Sequence, residues 1–427
     1  MLSAAISLSA NRPVPARRWL LAMTVVLLAA IFLASPNFCL ERGPDALPFA
    51  GDFLQEWIGG YVVRSGDYAR FYDVAYVQQL EHDEALVGTA FRRSEYFPLV
   101  YPPFYYLLVS PLSWLPFPVA ALLWAGLMVL AYVAAWKLFE KYAGVHSDVF
   151  STAWLLPLSL LFMPLIENFT TCQKGSMLLL ILAATYALLV RQKPYWAGLV
   201  FGLIAFKPQF ALPIAIAMLC KRQWRFVLGG LTSGSVLVTL CLLMGVDVCR
   251  QYVEFSAHAG EYLQNSGYDL TKSHTWSGFF ALLLGGPSPA TTTLTLVASG
   301  GTIGLTGLAL HGPLDARHPR FAWQYSAVIL ATVLLSPHLY TYDLTVLLLP
   351  LAMMATRADA SAVQKWLGLS IFCLVGLSPQ IALLTNIQLS VPLLLAFLWA
   401  QQKAAGEVAS GYISTRCKDR LAASSTL

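Results

Sequence analysis

Lys207, in Phe206-Lys207-Pro208-Gln209, is the most expensive residue in the chain, because it stands in the middle of an apolar run. A cation at membrane depth is costly unless paired, and it marks a functional site by default. A phosphate on a lipid carrier is an obvious partner, with Gln209 beside it; a snorkelling structural lysine is the alternative. Gly51-Asp52-Phe53-Leu54-Gln55-Glu56 offers a carboxylate that could accept a proton. Asp52 would equally serve as a helix N-cap, with Gln55 completing a capping box. A helix N-terminus favours the ionised form, so Asp52 is expected to stay charged. Glu56, one turn on, is the backup carboxylate. Ser336-Pro337-His338-Leu339-Tyr340-Thr341-Tyr342-Asp343 gathers His338, Tyr342 and Asp343 beside a proline break.

Three further polar blocks could contact a substrate. Tyr96 to Pro103 is dense in aromatics and prolines, and Tyr101 could wall a sugar or an isoprenoid chain. An interfacial tyrosine belt accounts for the block as well. In Glu167-Asn168-Phe169-Thr170-Thr171-Cys172-Gln173-Lys174, Asn168 and Gln173 could hydrogen-bond a sugar or cap a helix. The stretch from Ser256 to His274 (His258, Glu261, Asn265, Asp269, Lys272, His274) could hold an acceptor. No carboxylate cluster has metal-ligand spacing, so no metal and no cofactor are expected. The seven cysteines form no CxxC pair, and there is no Walker A loop, no GxGxxG after a strand and no HExxH.

The elements that must position these residues cross a membrane. Of 427 residues, 57% are apolar and 11% charged, and mean hydropathy is +0.63. A soluble domain carries about 25% charged residues. Roughly ten stretches approach the 20 or so residues that span a 30 Å bilayer core. The net charge of +5 comes from Lys and Arg at helix ends rather than from a nucleic-acid surface. The spans are expected near 18–36, 117–138, 150–166, 176–191, 226–246, 289–310, 321–336, 340–356, 366–384 and 387–402. The first follows Arg12, Arg17 and Arg18 and reads as an uncleaved signal anchor. The runs after Tyr101-Pro102-Pro103 and over 275–285 are too short to span, and the former reads as re-entrant.

The run 195–219 has Arg191 and Lys193 before it and Lys221, Arg222 and Arg225 after it. A broken hairpin keeps both basic clusters on one side and lifts Lys207 towards mid-membrane or beyond. With that assignment the short inside segments hold 18 Lys and Arg against 6 Asp and Glu, and the remaining segments 9 against 16. The positive-inside rule then puts the acidic segments on the non-cytoplasmic face. Among them, 37–98 forms the first outer loop. Phe53, Leu54, Trp57, Ile58, Tyr61 and Val62 make one apolar face on a helix expected to lie flat on the membrane, with Gly66 past its end.

In this order the blocks resemble glycosyltransferase family 87 of the GT-C superfamily. The matching blocks are Gly51-Asp52 with Gly66-x-x-x-x-Phe71-Tyr72-Asp73, Tyr101-Pro102-Pro103, Gln173 opening a span, and Ala197-Gly198-Leu199 leading to Lys207-Pro208-Gln209. Arg222 to Arg225 and Ser336-Pro337-His338 complete the set. The resemblance implies a polyprenyl-phosphate sugar donor and inverting transfer on the non-cytoplasmic face. It is similar to the phosphatidylinositol-mannoside mannosyltransferases, whose proposed general base, an aspartate in the first outer loop, matches Asp52. Those enzymes carry a histidine-rich stretch after the Ser-Pro; here His338 or Tyr342 would take that role. Mannose is the implied sugar and arabinofuranose the competitor.

These readings combine into one expectation. The chain is an all-α polytopic membrane protein of GT-C type, with about 10–13 transmembrane or re-entrant helices and an amphipathic first outer loop. It forms a single integral membrane domain over 1–427, with a cytoplasmic tail at 403–427, in a bacterial plasma membrane. Asp52, backed by Glu56, is the expected catalytic group. Lys207, His338 and Gln209 would engage the donor phosphate or its lipid carrier. Tyr101, Asn168, Gln173, Tyr342, Asp343 and His274 would contact sugar or acceptor. The expected partners are a polyprenyl-phosphate sugar donor, a lipid or glycan acceptor and membrane lipids. A transporter or flippase for lipid-linked sugars is the alternative; it would show two related halves, and none is evident.

Overall fold

The computed structural model describes residues 14–39, 46–92, 96–142, 154–258 and 269–424. Every regular element among them is helical. Phe117–Tyr142, Trp224–Met244, Pro289–Ala309 and Ala362–Thr385 are long and apolar enough to cross a membrane. Six shorter apolar helices accompany them: Arg18–Ala34, Gly175–Val190, Pro194–Phe206, Pro208–Cys220, Phe321–Leu335 and Thr341–Ala355. Leu122, Leu130, Leu228, Val236 and Val297 are each at least half exposed on outward faces. Apolar rows of that extent are what a lipid-facing helix presents.

The helices run between two chemically different ends. Tyr186 stacks on Phe321 with ring centroids 5.5 Å apart, and Tyr325 Oη donates to Leu182 O at 2.9 Å. The helix leaving Gly175 is therefore antiparallel to the one arriving at Leu335, and Lys174 and Ser336 share one end. The basic residues collect at the other. Arg191 lies 5.5 Å over the Tyr142 ring, Lys221 Nζ donates to Gly312 O at 2.8 Å, and Arg357 lies 4.9 Å over Trp323.

The run 194–220 is a broken hairpin. Pro194–Gly202 continues as a 3-10 turn over Leu203–Phe206, breaks at Lys207, and resumes as Pro208–Cys220. Proline at 208 removes a backbone donor and constrains Lys207 out of the helical region, where φ is −123°. The outgoing arm packs parallel to Trp224–Met244. A Cβ at Gly198 would fall 1.9 Å from Phe226 O, and one at Gly229 would fall 2.0 Å from Tyr195 O. Only glycine permits backbones that close, as at small-residue crossings between membrane helices. Because the third helix runs alongside the first, Arg191/Lys193 and Lys221–Arg225 lie together and Lys207 sits at the far apex.

One element is packed differently from the sequence expectation. Phe53–Ser65 forms where its periodicity predicts and ends on Gly66 at φ +72°, but ten of its thirteen residues are buried. Its apolar face and most of the opposite face are covered by other segments. Phe53 stacks on Phe117 and Trp124 at 6.2 and 5.3 Å, and Gly59 faces the Tyr106 ring. The segment Pro103–Val109, extended by a 3-10 turn over Ser110–Trp114, supplies the second wall; Trp57 Nε1 donates to Leu115 O at 3.1 Å. The periodicity could not reveal this short segment folding onto the polar side. At the C-terminus one helix runs over Ser390–Ser424, so the backbone stays helical past 403. The part from 403 to 424 is rich in Ala and polar side chains and has no proline to stop it.

Candidate active site

Asp52 opens the Phe53–Ser65 helix but does not cap it. Its backbone is already helical, at φ −68° and ψ −11°, and its side chain makes no capping bond. Left-handed residues at Ala50 and Gly51 turn the chain so that Asp52 faces the 171–174 loop. Asp52 N donates to Thr171 O at 3.2 Å, and Gln173 Nε2 donates to Asp52 Oδ2. Gln173, expected against a sugar, therefore holds the candidate base. Glu56 is fully buried in an ion pair with Lys174 Nζ.

The direction in which the Asp52 pKa moves is opposite to the one the helix dipole favours. Burial pushes its carboxyl above the usual range. The Gln173 hydrogen bond and the charges of Lys174, Lys207 and Lys272 pull it back without cancelling that rise.

Lys207 is not alone at the hairpin apex. Its Nζ pairs with Asp343 Oδ1 and lies 5.3 Å from the Tyr342 ring centroid. Asp343 Oδ2 also accepts from Tyr340 N at 3.4 Å, closing a capping box on the 3-10 turn Thr341–Leu347. Lys207, expected at the donor phosphate, thus forms one unit with Tyr342 and Asp343, expected at sugar or acceptor. His338 lies beside it, its ring 5.0 Å from that of Tyr340. Burial, aided by Lys207 and opposed by Asp343, pushes the imidazole down to about 4. It is therefore neutral near pH 7 and offers a hydrogen bond rather than a charge. Gln209 sits half-buried in the first turn beyond Lys207.

Two expected contact residues are bonded into the scaffold. Asn168 is fully buried; its Oδ1 accepts from Gly175 N at 2.5 Å and its Nδ2 donates to Ser176 Oγ at 3.0 Å, so it ties down the start of the Gly175–Val190 helix. His274 is fully enclosed. Its ring nitrogens meet Ser390 Oγ at 2.7 Å and Thr341 Oγ1 at 3.0 Å, and its backbone N donates to Leu339 O. It joins the 270–275 segment to the Lys207–Asp343 unit. Glu261 and Asn265 lie outside the described residues. Tyr101 is buried, with Lys174 Nζ 4.2 Å above its ring.

Sequence reasoning passed over Lys174 and Glu167 as site residues. Glu167 is half-buried in Met163–Thr170 and pushed up to about 7 by burial. The charges of Asp52 and Asp343 raise it further, while Lys272 and a Thr341 hydrogen bond oppose. Both residues flank one polar loop between apolar runs, and that position was the available signal. The cluster as a whole brings carboxylates 52, 56, 167 and 343 to lysines 174, 207 and 272. One end of it can take up a proton, and the other holds a cation that an anionic group could share.

A comparison with curated proteins finds no match. The crystal structure of ArnT from Cupriavidus metallidurans in the apo state is similar at 14% identity and a TM-score of 0.37, covering 91% of this chain and 76% of that one. The model of "Glycosyltransferase family 87" matches residues 99–337. That range begins before Tyr101-Pro102-Pro103 and ends at Ser336-Pro337; Lys207 lies within it and Asp52 before it. It takes in more than half of the chain, and this membrane protein belongs to glycosyltransferase family 87.

Proposed function

We propose that the protein transfers a sugar from a polyprenyl-phosphate carrier to a lipid or glycan acceptor, with inversion, on the non-cytoplasmic face. Mannose is the favoured sugar and arabinofuranose the competitor, both on family resemblance. The observation that carries the reading is the convergence of Asp52 and Lys207, from distant parts of the chain, within electrostatic reach of each other. Asp52 takes the proton of the acceptor hydroxyl as that oxygen attacks the anomeric carbon. The bond from that carbon to the phosphate oxygen breaks, and the departing phosphate takes the electron pair. Lys207 meets the growing charge, exchanging Asp343 for phosphate, while neutral His338 supplies a hydrogen bond. The positive-inside rule supports a cytoplasmic position for the basic end and hence an outer position for the site.

The test is incubation of the purified protein with a panel of polyprenyl-phosphate sugars, followed by mass analysis of the lipids formed. A glycosylated product from one donor, absent with Asp52→Asn, is expected. Transfer only from a nucleotide sugar would sink the reading.

A further inference from the structure

Gln173 and Lys174 are consecutive, and they hold two acids four residues apart. Gln173 takes Asp52 and Lys174 takes Glu56. Residues at that spacing lie one turn apart on one helix face. Lys174 and Glu56 are both fully buried, and the Lys174 ammonium lies 4.2 Å from the Tyr101 ring centroid and 5.8 Å from that of Tyr105. A buried ion pair is costly to form and is poor evidence for stability by itself. Glu56 Oε2 has no hydrogen-bond partner, so the acid is not saturated by its surroundings. A pair so enclosed, one helical turn from the half-buried Asp52, points to an electrostatic task.

We propose that Lys174 is a positioning residue for Asp52: it lends a fixed positive charge to that carboxylate and anchors the turn that presents Gln173 to it. Glu56 holds the ammonium in place. The aromatic faces of Tyr101 and Tyr105 favour the cation without competing for its proton. The charged groups around Asp52 are Lys174, Lys207 and Lys272 on one side of the balance, and Glu56 and Glu167 on the other. Only Lys174 is both fully buried and adjacent in sequence to the residue that bonds Asp52. The inference rests on the reading of Asp52 as the site's base, but its test needs neither donor nor acceptor.

The measurement is an infrared pH titration of the full-length protein in lipid nanodiscs. The acid band of Asp52 is identified by its absence in Asp52→Asn. Lys174→Met should move the Asp52 midpoint up by about one pH unit, the size expected when a nearby opposite charge is deleted. Lys174→Arg should keep the parental midpoint. Because Lys174→Met strands a buried Glu56, the double variant Lys174→Met/Glu56→Gln is the deciding one. It removes both charges and should fold, and its Asp52 midpoint should lie above that of Glu56→Gln alone, from which it differs only by the Lys174 charge. A folded double variant with the same midpoint as Glu56→Gln would overturn the proposal and leave the pair as packing. A shifted midpoint in a protein that transfers no sugar would sustain it and defeat only the proposed function.

Discussion

At the scale of single residues, three short contacts organise the site: Gln173 to Asp52, Lys174 to Glu56 and Lys207 to Asp343. Asp52 makes no capping bond, so Asp52→Asn should abolish transfer while leaving thermal stability nearly unchanged; asparagine can still accept from Gln173. Turnover near the parental value would remove Asp52 from the mechanism. Lys207→Met is expected to lose donor binding but also to strand Asp343, at a cost of about 3–5 kcal/mol for one broken buried pair. Lys207→Met/Asp343→Leu should recover most of that stability and none of the donor affinity, as read by thermal unfolding with and without a polyprenyl-phosphate sugar. Recovered affinity in the double variant would make Lys207 structural. Glu167 gives a stability test with a definite sign. Its folded value of about 7 exceeds the ordinary 4.5, so the folded state binds the extra proton between those pH values and loses stability as pH rises through them. Glu167→Gln should therefore unfold at a higher temperature than the parent at pH 8. The advantage should fade towards pH 4.5. An advantage independent of pH would assign the effect to packing.

At the scale of elements, the broken hairpin decides where the cation sits. Its two arms are about 13 residues each, roughly 20 Å of helix, which falls short of a bilayer core. The break therefore occurs within the protein, and Lys207 is held there by a proline on one side and a 3-10 turn on the other. The arms keep this geometry because Gly198 and Gly229 let the first arm touch the Trp224–Met244 helix backbone to backbone. Gly198→Val should separate these helices, costing at least the 1–3 kcal/mol typical of overpacking and displacing Lys207 from Asp343. A lower unfolding temperature together with lost transfer is the expected pair of readouts. Unchanged stability would contradict the close contact.

At the scale of the whole molecule, charge and chemistry lie at opposite ends. Arg191, Lys221 and Arg357 mark one end, and Asp52, Lys207 and Asp343 the other. Single cysteines at Gly66, Tyr340 and Gln223 on a cysteine-free background report this directly. An impermeant thiol reagent applied to intact cells should label the Gly66 and Tyr340 positions and spare Gln223, whose side chain bonds Leu314 O near the basic end. Labelling at Gln223 with none at Gly66 would invert the orientation.

Much of this arrangement is legible in the chain by itself. Apolar run lengths determine the membrane helices, the distribution of Lys and Arg determines which loops share an end, and Lys207-Pro208 between two basic clusters requires a break. These are local or additive properties, so they survive without knowledge of contacts. What the tertiary structure decided is which polar group meets which. A glutamine that could bond a sugar bonds Asp52, an asparagine in the same loop ties down a helix start, and a buried histidine joins two segments. Lys207 finds Asp343, and Lys174 finds Glu56. Each of these residues carries the same donors and acceptors in every fold, and only the approach of remote segments removes water and selects one partner. The direction in which the Asp52 pKa moves was decided the same way. The helix N-terminus favours the ion locally, but burial, which no local pattern encodes, outweighs it.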